Sequence, residues 1–200
     1  MKRFLAIFLT TLGLSLSVNA QEHTRRPPTT TPATRPTPVP KSTPAATRPA
    51  VDPGTWANFN SETGRFSVLM PVIPEEKVET TQSDHGPYTT HLFIVRDDKN
   101  VYLIGWVDYD PSFNFNRQSE LEANRDNFVK GIKATLTNSR ATNIDSFPVI
   151  EFTADTADRT FKSRVYMVGR RPYQIVVGYP KGDEDVALTN RFFNSFKVVP

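Results

Sequence analysis

The sequence predicts an α+β fold over residues 51–200, a layered sandwich in which an antiparallel β-sheet is flanked by two main helices. Three observations carry that expectation. Short apolar runs with period-two alternation follow one another, divided by turn residues at the spacing of successive antiparallel strands. Two segments switch to helical spacing of their apolar residues. The composition over these 150 or so residues is ordinary and holds no internal repeat, as for one domain with its own core.

In chain order, Trp56-Ala57-Asn58-Phe59 leads through the turn Asn60 to Gly64 into Arg65 to Met70, alternating until Pro71, and reads as a hairpin. Further strands are expected at Val78 to Thr81, Tyr88 to Arg96, Val101 to Val107, Val149 to Thr153, Phe161 to Val168 and Tyr173 to Tyr179. The first helix is expected to open at Ser119, with Glu122 completing a capping box, and to carry Leu121, Phe128, Ile132 and Leu136 on one face. The second follows Gly182, places Asp183, Glu184 and Asp185 at the positive end of the helix dipole, and stripes Leu188, Phe192 and Phe196 with Phe193 beside them.

The N-terminal quarter is of another kind. Lys2 and Arg3 precede an apolar run from Phe4 to Leu16, and Val18-Asn19-Ala20 has the small residues of a cleavage site, so residues 1–20 are expected to be a secretory signal peptide. The run is shorter than the roughly twenty apolar residues a bilayer span needs, so no transmembrane span is expected after cleavage. There is no Cys to acylate, pair or bind a metal, which excludes a lipoprotein, disulfides and thiolate sites. Arg25-Arg26 lies on the wrong side of the apolar run for a twin-arginine signal. Residues 21–50 are rich in Pro, Thr, Ala and Arg, too poor in apolar surface to fold, and are expected to form a disordered, extended, basic linker. The chain is accordingly expected to be exported, to a periplasm or the outside medium.

The sequence pI of 9.2 misstates the domain. Setting aside Lys2, Arg3, the linker's Arg25, Arg26, Arg35, Lys41 and Arg48, and Glu22 leaves 17 basic against 20 acidic residues, a net charge of −3. A nucleic-acid partner is therefore not expected, since phosphate binding needs a clustered basic face. The linker alone would suit an anionic cell-surface polymer, or it is simply solvated.

Trp56, the stretch Gly64-Arg65-Phe66-Ser67-Val68-Leu69-Met70-Pro71, Tyr166-Met167-Val168 ahead of Arg170-Arg171-Pro172-Tyr173, and the ending Phe192-Phe193-Asn194-Ser195-Phe196-Lys197 together resemble exported bacterial domains of the PsbP-like group. The likeness covers most of residues 51–200. It implies an antiparallel sheet flanked by helices. The group's best-known member is an extrinsic, non-enzymatic protein of the photosynthetic oxygen-evolving complex, whereas most bacterial members have no assigned function. No residue here carries the photosynthetic role across.

Catalytic signals are sparse. The domain offers His85, in a turn, and His91, in a strand, with no Gly-x-Ser-x-Gly elbow, so a serine hydrolase is not expected. Asp108 and Asp110 supply oxygen ligands of the kind hard cations prefer, and with His91 they form the candidate metal or catalytic set, although acids at a strand end also cap turns. Tyr109, Phe113 and Phe115 surround a loop that is either a contact surface or a lid on one end of the core. Arg170 and Arg171, in a hairpin turn, have the fork geometry to hold a carboxylate or phosphate. No cofactor is expected. The leading expectation is an exported, non-enzymatic binding or accessory module of the cell envelope with an envelope protein or anionic polymer as partner; the alternative is a metal-dependent protein or enzyme using Asp108, Asp110 and His91.

Overall fold

The computed structural model describes residues 56–84, 86–114 and 116–199. The expected signal peptide and linker lie outside the described residues, as do His85 and Phe115. Ten strands and two helices follow in the order β1 (Ala57–Ser61), β2 (Phe66–Met70), β3 (Glu76–Ser83), β4 (Gly86–Arg96), β5 (Val101–Tyr109), α1 (Arg117–Gly131), β6 (Thr135–Ile144), β7 (Phe147–Asp155), β8 (Arg159–Val168), β9 (Arg171–Pro180), α2 (Val186–Ser195) and β10 (Lys197–Val198). Among the described residues, seven strands form one antiparallel sheet in the order β3-β4-β5-β9-β8-β7-β6, and β1-β2-β10 form a second, smaller one.

Strand alternation divides the core into two layers. On one face of the large sheet, Tyr102, Ile104 and Trp106 of β5 and Tyr173, Ile175 and Val177 of β9 meet Phe66, Val68 and Met70 of β2 and Phe192 and Phe196 from α2. On the other, Leu103, Ile150, Phe152, Val165 and Val176 meet Leu121 and Phe128 of α1. The expected α+β class, with a large antiparallel sheet and two helices, is observed; the described residues are dominated by strands, and the β1–β2 hairpin shares one cover of the large sheet with α2. Phe66 is fully buried, its ring 5.7 Å from Trp106 and 5.5 Å from Phe196. That packing explains the turn before it. A Cβ on Gly64 would lie 2.5 Å from the Phe66 ring and 2.7 Å from Ser61 Oγ, so only glycine fits.

Two sequence expectations are corrected. The cap of α1 is Asn116, whose side chain accepts from the amides of Gln118 and Ser119, so the helix starts before Ser119. It also ends earlier than expected. Lys133 adopts φ 54°, its N–H donates to Lys130 O at 3.1 Å, and Ala134 N–H donates to Val129 O at 2.9 Å, closing a Schellman turn. Leu136 therefore belongs to β6, a strand that the sequence reading missed, and is partly exposed instead of packed beneath a helix. The buried stripe of α1 is Glu120, Leu121, Asn124 and Phe128, half of it polar.

Candidate functional site

The site is built where β5 leaves the core. Alternation carries the inward row Tyr102, Ile104, Trp106 on to Asp108, the first acid of that row, at the rim. Pairing sets His91 of β4 opposite Trp106, and the two rings stack with centroids 4.4 Å apart and planes 3° apart. His91 Nδ1 lies 2.7 Å from Glu76 Oε1, and Nε2 lies 3.4 Å from Asp108 Oδ2. Asp108 also accepts from Trp106 Nε1 at 3.3 Å and from Arg171 Nε at 2.6 Å. Arg171 continues to the carbonyl of Thr63 at 3.1 Å, and Tyr173 donates its hydroxyl proton to Gly64 O at 2.8 Å. A chain of hydrogen bonds, several of them charge-assisted, therefore ties the β1–β2 turn to four strands of the large sheet, β3, β4, β5 and β9.

Two members of the expected metal set, His91 and Asp108, meet here, and the third does not join them. Asp110 is drawn into its own turn, accepting from Ser112 N–H at 2.9 Å and Ser112 Oγ at 2.5 Å, and these two bonds hold its carboxyl below the usual range. Among the described residues no group of three or more His, Cys, Asp or Glu side chains is placed to hold a metal ion.

The loop after β5 is fastened by Arg170, which donates to the carbonyls of Asp110 at 3.2 Å and Phe113 at 2.5 Å. The Tyr109 and Phe113 rings stand 4.7 Å apart and pack with Tyr88 and Val107, and Phe113 is buried, so these rings close one end of the core. Phe115 lies outside the described residues. Tyr109 donates its hydroxyl proton to Glu120, which also accepts from Asn124 Nδ2 at 2.8 Å. Burial pushes the Glu120 carboxyl up, although both hydrogen bonds pull the other way.

The consequence at the surface is a shallow depression of about 450 Å³ lined by Arg65, Val107, Asp108, Tyr109, Pro111, Arg170 and Arg171. It gathers four of the sequence candidates, Asp108, Tyr109, Arg170 and Arg171, and adds Arg65. Arg65 holds φ 51° at the mouth of the β1–β2 turn, is exposed, and has no acid paired with it among the described residues. Sequence reasoning passed over Arg65, Glu76 and Trp106. Their signal was tertiary: Glu76 and Trp106 qualify through the register of β3, β4 and β5, and Arg65 through the packing of the β1–β2 turn against the end of the large sheet.

A second concavity, about 360 Å³, lies toward the β6 edge of the sheet and is lined by Asn138, Arg140, Glu151, Lys162, Arg164, Thr189, Asn190 and Phe193 among others. Its cations are all matched. Glu151 accepts from Arg140 at 2.5 Å and Arg164 at 2.8 Å, while Lys162 meets both oxygens of Glu184 at 2.7 and 2.8 Å. Burial raises the Glu151 carboxyl, but the two arginines together outweigh it and leave the group below its usual range.

A large antiparallel sheet with a helix on one face and a hairpin plus a second helix on the other defines a PsbP-like fold. The solved structure that carries the comparison is the solution structure of cyanobacterial PsbP (CyanoP) from Synechocystis sp. PCC 6803, with a TM-score of 0.50 and 11% identity, covering 78% of this chain and 99% of that chain. At that identity the likeness is one of fold. No family model matches the chain, and no curated protein does.

Proposed function

We propose that this chain is an exported, non-enzymatic binding module of the cell envelope, which holds an anionic group of a protein or cell-surface polymer in the Arg65–Arg170–Arg171 depression. The observation that carries the reading is Arg65: among the described residues this exposed guanidinium has no acid paired with it, and it lines the depression beside Arg170 and Arg171, where the one carboxylate of the lining, Asp108, already serves Arg171, His91 and Trp106. Arginine forks match the planar geometry of carboxylate and phosphate, and among the described residues Arg65 has no acid paired with it.

The placement of His91 supports binding over catalysis. Both ring nitrogens face carboxylates of this chain and the ring lies flat on Trp106, so its contacts are made within the protein. With the domain at a net charge of −3, attraction of an anion rests on this local cluster, and it should weaken with added salt. Among the described residues no helix is long and apolar enough to cross a membrane.

Co-purification from envelope extracts tests the proposal, using the chain, its Arg65→Glu variant and a form lacking residues 21–50. A partner retained by the first and third and lost by the second is expected. Equal recovery by the chain and Arg65→Glu, or no partner at all, counts against it.

A further inference from the structure

We propose that two copies of this chain associate by antiparallel pairing of their β6 strands, which joins their seven-stranded sheets across a two-fold axis at Ala141. The inference is independent of the anion-binding reading and rests on the contrast between the two edges of the large sheet.

A sheet edge presents a row of unpaired backbone N–H and C=O groups, and proteins that stay monomeric guard it with charge, proline or bulges. β3, at one edge, carries Glu76, Lys77 and Glu79 within its first four residues. β6, at the other edge, is ten residues of Thr, Leu, Asn, Ser, Ala and Ile with Arg140 as its single charge. That charge is neutralised within the chain by its cross-strand partner Glu151. The strand has one bulge, between Leu136 and Asn138, which leaves Asn138 through Ile144 in unbroken register with β7 and solvent-facing over most of its length.

The register of self-pairing follows from geometry. Opposite residues of an antiparallel pair share a face, so the symmetry axis must pass through a residue and not between two. An axis at Ser139 or Thr142 leaves part of the regular stretch unpaired. An axis at Arg140 sets two guanidinium groups against each other. Only the axis at Ala141 pairs all of Asn138 to Ile144, with Ala141 facing its own copy, Arg140 facing Thr142 of the second copy, and Asn138 facing Ile144 of the second copy. The centre is thereby the smallest side chain of the stretch.

The chain contains no cysteine, so a single introduced one gives an unambiguous readout. The full-length gene is expressed as wild type, Ala141→Cys, Ala141→Lys and, on the opposite edge, Gln82→Cys. Sedimentation equilibrium of the wild type is expected to show a concentration-dependent dimer. Under mild oxidation Ala141→Cys is expected to form a disulfide-linked dimer about tenfold faster than Gln82→Cys, since directly opposed Cβ atoms lie within disulfide reach. Ala141→Lys places like charges across the axis at an exposed position and is expected to weaken the dimer about tenfold or more while leaving the circular dichroism spectrum unchanged. Three results overturn the proposal: a monomeric wild type with Ala141→Cys cross-linking no faster than Gln82→Cys, a dimer insensitive to Ala141→Lys, or hydrogen-exchange protection of β6 that appears only when an envelope extract is added.

Discussion

The two concavities, one at the end of β5 and one beside β6, each hold three cationic side chains, and they differ in what those cations face. In the one beside β6, Arg140 and Arg164 share Glu151, and Lys162 pairs with Glu184. In the one at the end of β5, Asp108 is the acid of the lining and spends its oxygens on Arg171, His91 and the Trp106 indole; Arg170 sits in the field of Asp110, and among the described residues Arg65 has no acid paired with it. Counting cations would rank the two alike. The distribution of acids separates a region whose cations are all matched by carboxylates from one where Arg65 is not, and the proposed anion site rests on that difference.

The largest effect expected from disturbing this contrast is at Trp106, which is fully buried, stacks His91 and donates to Asp108. Trp106→Ala should cost about 3–5 kcal/mol in urea denaturation and release the acid that orders Arg171. A loss below about 1 kcal/mol would mean that the network is peripheral to the core.

Next comes the partner interface itself. Arg65→Glu is expected to weaken capture of an anionic partner by on the order of tenfold to a hundredfold, whereas Arg140→Glu should leave it within about twofold, because Arg140 is mostly solvated and belongs to the balanced concavity. Titrating the extract-derived partner onto each variant by surface plasmon resonance reads the difference.

Glu151→Gln should convert the balanced concavity into an unbalanced one. It leaves Arg140 and Arg164 without their acid, costs about 1–2 kcal/mol in stability, and should create a salt-sensitive anion site where the native chain has none. Unchanged affinity for heparin resin after this substitution would blunt the comparison.

The smallest effect is in pH dependence, where one buried and one half-buried acid act with opposite sign. Glu120 has hydrogen bonds but no cation, and its folded carboxyl lies above the ordinary value of 4.5, so the folded state holds its proton longer and stability falls as pH rises from about 4.5 through the folded value. Glu151 has two arginines and lies below that value, so its contribution is present above about pH 4.5 and is lost as pH falls through the folded value. Glu120→Gln should remove the decline on the alkaline side, and Glu151→Gln the loss on the acid side. Melting temperatures between pH 3 and 7 would show both.

Much of the fold was legible because apolar alternation in β2, β4, β5, β7, β8 and β9 reports directly on burial. β6 was not legible for a physical reason. Both of its boundaries lack the glycine that normally marks a left-handed turn: Lys133 at φ 54° ends α1, and Asp145 at φ 49° with Ser146 at φ 68° forms the β6–β7 turn. An edge strand with both faces polar also has no alternation to display. The same limit applies to α1, whose buried Glu120 and Asn124 interrupt the apolar stripe and made Leu136 look like its continuation. At the site, Asp108, Tyr109, Arg170 and Arg171 were visible as unusual residues at strand ends. Arg65 and Glu76 were not, since what qualifies them is a neighbour far away in sequence.

The measurement that bears most directly on the charge-imbalance account is an NMR titration of the chain with a polyglutamate probe, following the arginine side-chain and neighbouring backbone resonances at low and high salt. The account predicts shifts concentrated at Arg65, Arg170 and Arg171, diminishing with salt, with Arg140 and Arg164 unmoved. Shifts centred on Arg140 and Arg164, or spread evenly over both sets of arginines, would contradict it.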